Sequence, residues 1–185
     1  MKKYLFLILL IIGWEANQAQ NFSDSVRISL VTGSPGKDLY AQFGHSAIRV
    51  QDFKYNQDLV FNYGTFDFDT PNFYWKFVRG KLEYILSVGA TSRMIPYYER
   101  EGRSLTEQEI QLDSAQQQRV LRILSFNYQP ENRGYLYDFF FDNCATRIRD
   151  VFENELAPNF TYLSSDTVSI TFGSCLIFIL LSHLG

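Results

Sequence analysis

Val26, Ile28 and Leu30 interleave with Arg27 and Ser29 over residues 26–31, and this period of two predicts a strand. Thr32-Gly33-Ser34-Pro35-Gly36 follows with the chemistry of a loop. Two further β-like runs, residues 46–50 and 59–65, flank a polar turn around Asn56 and Gln57, the pattern of an antiparallel pair. An aromatic stretch at 71–78 reads as a short helix, with a strand after it at 82–88. Residues 106–112 carry two signals. Ile110 and Leu112 alternate like a strand, whereas Thr106 and Glu109 fit a capping box, and the alternation is preferred. Asp113, with Gln116 three residues on, then caps a helix whose apolar positions are Val120, Leu121 and Leu124 and which stops near Asn127, before Pro130. Residues 134–141 are aromatic and loop- or strand-like. Asp142 or Asn143 caps a second helix running to about Leu156, ahead of Pro158, with Cys144, Ile148, Val151 and Phe152 on its apolar face. No repeat or low-complexity linker interrupts this order, so the expected class is α+β, an antiparallel sheet packed against helices.

The two ends depart from that pattern. Lys2 and Lys3 precede a short apolar run at 4–14, and small residues around Ala16 and Ala19 offer a cleavage point after Ala19. This is the layout of a secretory signal peptide over residues 1–19, the alternative being an uncleaved anchor. Either places the remainder outside the cytoplasm, in the periplasm or on the outer face of the inner membrane. No cysteine stands at the cleavage point, so the chain is not itself expected to be a lipoprotein. Residues 20–171 form the expected domain. Residues 172–185 are an apolar tail, read as a marginal membrane segment, a buried strand, or the start of a truncated native continuation.

Composition narrows the function classes. A chain of 185 residues suits one domain with a sizeable core. Aromatics at 17%, with 17 Phe and 12 Tyr, argue against disorder. The net charge of -3, with both signs interspersed, gives no basic stripe for nucleic acid. Two cysteines, Cys144 and Cys175, exclude a disulfide-rich scaffold, although a Cys144–Cys175 bridge stays open in an oxidising compartment.

The chemistry centres on few residues. His45, in Gln42-Phe43-Gly44-His45-Ser46-Ala47, stands where a strand begins; the other histidine, His183, lies in the tail. Gly44 would allow another chain or a substrate to approach closely. Cys144, in Asp142-Asn143-Cys144-Ala145-Thr146, occupies the first turn of the second helix, where unpaired amides and the helix dipole favour a thiolate. An imidazole beside it would deepen that effect. Asn62, on the strand expected to neighbour His45, is placed to orient the ring. The competing reading makes Cys144 a buried inert thiol and His45 a packing residue. One dependable histidine and two cysteines do not compose a zinc site, and the loop at Ser34 lacks a phosphate-binding motif. No cofactor is implied. Arg147 and Arg149 read as solvated surface charges rather than headgroup ligands.

Taken in order, Gly44-His45-Ser46, Asn62-Tyr63-Gly64 and Asp142-Asn143-Cys144-Ala145-Thr146-Arg147 resemble the Lnb N-terminal periplasmic domain family, over about residues 26–171. The order His then Cys is also similar to that of permuted papain-like enzymes, with lecithin:retinol acyltransferase-like proteins as the nearest comparison. The resemblance implies a permuted papain-like fold, Cys144 as nucleophile at a helix N-terminus, His45 as base and Asn62 as orienting residue. It implies lipid chemistry at the cell envelope: an acyl chain passes from a phospholipid donor through a thioester on Cys144 to the α-amine of a lipoprotein acceptor, at a membrane surface. Backbone amides near Cys144 would stabilise the oxyanion. The aromatic stretches 66–77 and 135–141 would meet lipid, or pack the core. A cell-wall peptidase or amidase using the same dyad, and a non-enzymatic envelope binding module, are the alternatives. Family members continue further, often into membrane helices, where this chain has its apolar tail.

Overall fold

A computed structural model of the protein describes residues 22–38, 41–67, 69–138 and 141–157. The expected signal segment, the apolar tail, Cys175 and His183 lie outside the described residues. Among the described residues six strands, β1 (Val26–Gly33), β2 (His45–Asp52), β3 (Gln57–Thr65), β4 (Glu83–Ala90), β5 (Leu105–Glu109) and β6 (Gly134–Leu136), form one antiparallel sheet in the order β5-β1-β2-β3-β4-β6. Among the described residues four helices accompany it: α1 (Phe73–Val78), α2 (Thr91–Arg100), α3 (Ser114–Tyr128) and α4 (Cys144–Leu156). The class is α+β, as the periodicity predicts.

The central hairpin is set by its turn. Asn56 takes a left-handed φ of 50°, and the buried Asp52 carboxylate accepts from the amides of Lys54 (3.0 Å) and Tyr55 (3.1 Å). The same carboxylate receives the amide and hydroxyl of Ser23, which ties the start of the domain to the turn. The resulting ladder pairs Ile48 with Phe61 and Val50 with Leu59. Because side chains alternate across a strand, Ile48, Val50 and Phe61 face one side of the sheet, and Ala47, Val60 and Asn62 face the other. Between Asn62 and Thr65 the β3–β4 register shifts, which re-aims the end of β3.

Helices α3 and α4 cover the first face. Val120, Leu121 and Leu124 of α3, with Ile148, Val151 and Phe152 of α4, bury against Ile28, Leu30, Ile48, Val50 and Phe61. Asp113 caps α3 through the expected capping box with Gln116. On the other side of the sheet Tyr98 of α2 lies against Gly33, where a Cβ would come within 2.3 Å of the Tyr98 ring. Phe73, Leu82, Tyr84 and Tyr135 make a second, aromatic core, with Phe66, Phe77 and Tyr137 packed on it.

Two features, helix α2 and the setting of Arg147, differ from expectation, and one ambiguous segment resolves as the alternation predicts. Helix α2 is not among the predicted elements. It contains Pro96, which lacks an amide hydrogen for the helical ladder, and its start has no side-chain cap, so neither usual boundary signal marks it. The ambiguous segment at 106 is strand β5, paired with β1, and the Ile110 amide extends this by donating to Ile28 O at 2.9 Å. Arg147 is no solvated charge: its guanidinium forks onto the Asp142 carboxylate (Nη2 to Oδ2 2.6 Å) and lies over the Tyr135 ring at 4.2 Å. Arg149 pairs with Asp150 at 2.6 Å. Among the described residues no helix is long and apolar enough to cross a membrane.

Candidate active site

Cys144 is the first residue of α4, and the turn around it is tightly specified. The buried Asn143 side chain accepts from the amides of Ala145 (2.9 Å) and Thr146 (3.0 Å), while the Thr146 hydroxyl accepts from the Asn143 amide at 2.8 Å. This reciprocal cap commits two first-turn amides that were candidates for an oxyanion site. Ion pairing of Asp142 with Arg147 braces the same turn from outside the helix.

His45 opens β2. The residue before it, Gly44, has a φ of +77°, and a Cβ there would lie 2.7 Å from Gly33 O, so only glycine lets the chain turn into the strand beside β1. The close approach expected at Gly44 is therefore that of the protein's own backbone. Imidazole Nε2 lies 2.8 Å from Asn62 Oδ1, and the Gly64 amide donates to that same oxygen at 2.7 Å. An amide N–H can only donate, so the Asn62 atom it meets is the carbonyl oxygen, and Nε2 must carry the proton that this oxygen receives. Nδ1 is left to face the thiol, with which His45 forms a hydrogen bond. The hairpin thus brings Asn62 beside His45, and α4 brings Cys144 to the ring. Gly64 makes room for it: a Cβ there would stand 2.4 Å from His45 Cε1 and 3.0 Å from Nδ1.

The two titrations move in opposite directions. Burial alone pushes the Cys144 thiol up. The charge of His45, the hydrogen bond with it, and the amides of Ser46 and Ala145 outweigh burial and hold the thiol below its ordinary value. Burial pushes the His45 imidazole down, and Arg103 adds to that, but the charge and hydrogen bond of Cys144 and the Asn62 oxygen leave it raised. A lowered thiol beside a raised imidazole favours a thiolate–imidazolium pair. Among the described residues Cys144 has no disulfide partner; Cys175, its alternative bridging partner, lies outside them.

All three residues line one cleft of about 720 Å³. Val60, Val88, Phe66, Phe77, Tyr84 and Tyr137 supply apolar walls, and Phe43 and Tyr97, both exposed, stand with Met94 among the residues lining it. Tyr137 is pushed up to about 12 by burial and by the Cys144 and Asp138 charges, and Tyr84 is raised by burial, Tyr137 and Cys144, so both phenols stay protonated near the sulfur. Of the aromatic stretches, Phe66, Phe77 and Tyr137 pack on the second core and also line the cleft. Sequence inspection did not single out the α2 residues on this cleft or the steric role of Gly64. The first follow from an unrecognised helix, and the second is a long-range contact that no local pattern encodes.

Residues 14–173 match the family described as the Lnb N-terminal periplasmic domain. No curated protein and no solved structure matches the chain.

Proposed function

This chain belongs to the Lnb N-terminal periplasmic domain family, a domain of the periplasm, and from that premise we propose that it is an envelope thiol acyltransferase. The observation that carries the proposal is the hydrogen-bonded Cys144–His45–Asn62 series on the wall of a largely apolar cleft. A strand-borne histidine ahead in sequence of a cysteine at a helix start is the order of a permuted papain-like enzyme. In the proposed reaction the Cys144 thiolate attacks the carbonyl carbon of a phospholipid acyl ester. The ester C–O bond breaks, and the His45 imidazolium gives its Nδ1 proton to the departing alkoxide, leaving a thioester on Cys144. The α-amine of a lipid-modified N-terminal cysteine on a lipoprotein then attacks the thioester. An amide forms, the C–S bond breaks, and the amine proton passes to His45, which restores the ion pair. Asn62 holds the ring in one tautomer throughout.

Intact-protein mass spectrometry after incubation with phospholipid tests this. Wild type should gain one acyl mass, and Cys144→Ala none; a diacylglyceryl-cysteinyl peptide should then discharge the adduct and emerge N-acylated. No adduct on wild type would refute acyl transfer. Release of free fatty acid at a rate indifferent to the peptide would make water the acceptor. Release of peptides from cell wall by the same thiol would favour the peptidase reading.

A further inference from the structure

Arg27, Arg49, Arg147 and Arg149 each pair with a carboxylate. Arg93, Arg100 and Arg103 do not: among the described residues no ion pair engages them, all three line the cleft that holds Cys144, and no described aspartate or glutamate lines it. Arg93 and Arg100 stand two turns apart on one face of α2. Arg103 follows that helix and is held rigidly. Its Nε donates to Ser34 O at 2.8 Å, its guanidinium lies over the Tyr98 ring at 4.5 Å, and its Nη2 is buried without a hydrogen-bond partner. A buried donor left unmade is a cost that a ligand can relieve, and a guanidinium already fixed in place binds a tetrahedral oxyanion with little further ordering. The remaining lining is mostly apolar, with Phe66, Phe77 and Val88 among it. A cleft of this make-up suits an amphiphile that carries one anionic group close to an acyl chain.

Resting on the acyl-transfer reading, we infer that Arg93, Arg100 and Arg103 form a phosphate subsite that holds the phosphodiester of the acyl donor while its ester reaches Cys144. The subsite selects donors with a phosphate over neutral acylglycerols. Its anion also offsets the Arg103 charge that opposes protonation of His45, so that donor binding supports the thiolate–imidazolium pair.

Binding to the full chain carrying Cys144→Ala separates recognition from chemistry. The probes are monomeric dihexanoylphosphatidylglycerol, dihexanoylglycerol and inorganic phosphate, each titrated by calorimetry. The phospholipid should bind about tenfold or more tighter than the neutral lipid, in line with charge-assisted hydrogen bonds. Adding Arg103→Gln, or Arg93→Gln with Arg100→Gln, should remove that preference and leave the neutral lipid unaffected. The α2 double variant sits on exposed positions, so it decides the matter even if loss of the Ser34 bond prevents Arg103→Gln from folding. Equal affinity for the two lipids, or a preference that survives the double variant, would overturn the inference. Inorganic phosphate binding as tightly as the phospholipid would overturn the assignment to a lipid. A phosphate preference that persists while wild type forms no acyl adduct would support the subsite and remove acyl transfer instead.

Discussion

Adding one methyl group at Gly64 should disable the site without unfolding the domain. The Cβ of Gly64→Ala would sit 2.4 Å from His45 Cε1, about 1 Å inside ordinary van der Waals contact, and 3.0 Å from the nitrogen that faces Cys144. Gly64 has no left-handed φ, so alanine is compatible with the backbone, and its lower unfolded-state entropy favours folding by about 0.4–1 kcal/mol. The imidazole must therefore yield. Displacing a reacting group by about 1 Å can cost on the order of 100-fold in rate, and here the same displacement lengthens the hydrogen bond that lowers the thiol. Iodoacetamide alkylation of Cys144, followed by mass spectrometry at pH 6, reads this directly. The variant should react about tenfold to 100-fold more slowly, its pH inflection should move up towards that of a free thiol, and its circular dichroism should match wild type. An alkylation rate equal to wild type in a folded Gly64→Ala protein would refute the claim that Gly64 makes room for a working imidazole.

Three further outcomes follow from the geometry. In wild type the alkylation inflection of Cys144 should lie below the roughly 8.5 of an unperturbed thiol; because His45 is raised, the ion pair should persist to a pH above the imidazole's ordinary value, and His45→Ala and, to a lesser degree, Asn62→Ala should return the inflection upward. An unshifted inflection in His45→Ala would break the pairing. Asp52→Asn should destabilise the fold by about 1–3 kcal/mol in urea melts. Burial opposes the Asp52 charge, but hydrogen bonds from Ser23, Tyr55 and Lys54 hold its folded value low, so its contribution is complete above about 3.9 and lost as pH falls through that lower value, a loss the asparagine variant should not show. Asn143→Ala should cost about 0.5–2 kcal/mol as a lost helix cap and slow alkylation of Cys144 as well; a stability loss with unchanged thiol reactivity would mean the cap does not position the sulfur.

Elements whose signal is local were legible in the sequence. The period of two in β1, the capping box of α3, the N-cap of α4 at Asp142 or Asn143, and the turn at Asn56 each arise from residues adjacent in the chain, and their bounds agree with the structure to within a few residues. Helix α2 was not, because Pro96 and an uncapped start contradict what a short window can recognise; it exists by packing Tyr98 against Gly33 and through the Thr91 hydroxyl donating to Asp58 at 2.7 Å. The setting of Arg147 is likewise tertiary. Its partner Asp142 is near in sequence, but the Tyr135 ring beneath it arrives through β6. Cys144, His45 and Asn62 could be named as candidates from residue type and position, yet their convergence rests on register. A slip of one residue in the β2–β3 ladder would turn Asn62 to the opposite face.

That dependence divides the molecule into a frame and a lining. The His45–Asn62 contact is set by the β2–β3 ladder, and Cys144 is set by α4 docking through Ile148, Val151 and Phe152 onto Ile48, Val50 and Phe61. Both constraints run through one close-packed core, so a cavity made there reaches the thiol by tilting α4 as well as by lowering stability. Helix α2 stands apart from that core. It approaches the ends of β3 and β4 and supplies Arg93, Met94, Tyr97 and Arg100 to the cleft, but none of the bonds that orient the imidazole. Substitutions on its cleft side can therefore change which ligand is held while the Cys144–His45 distance stays fixed. Binding preference and thiol reactivity should separate by mutation along this line, with α2 governing the first and the sheet with α4 governing the second.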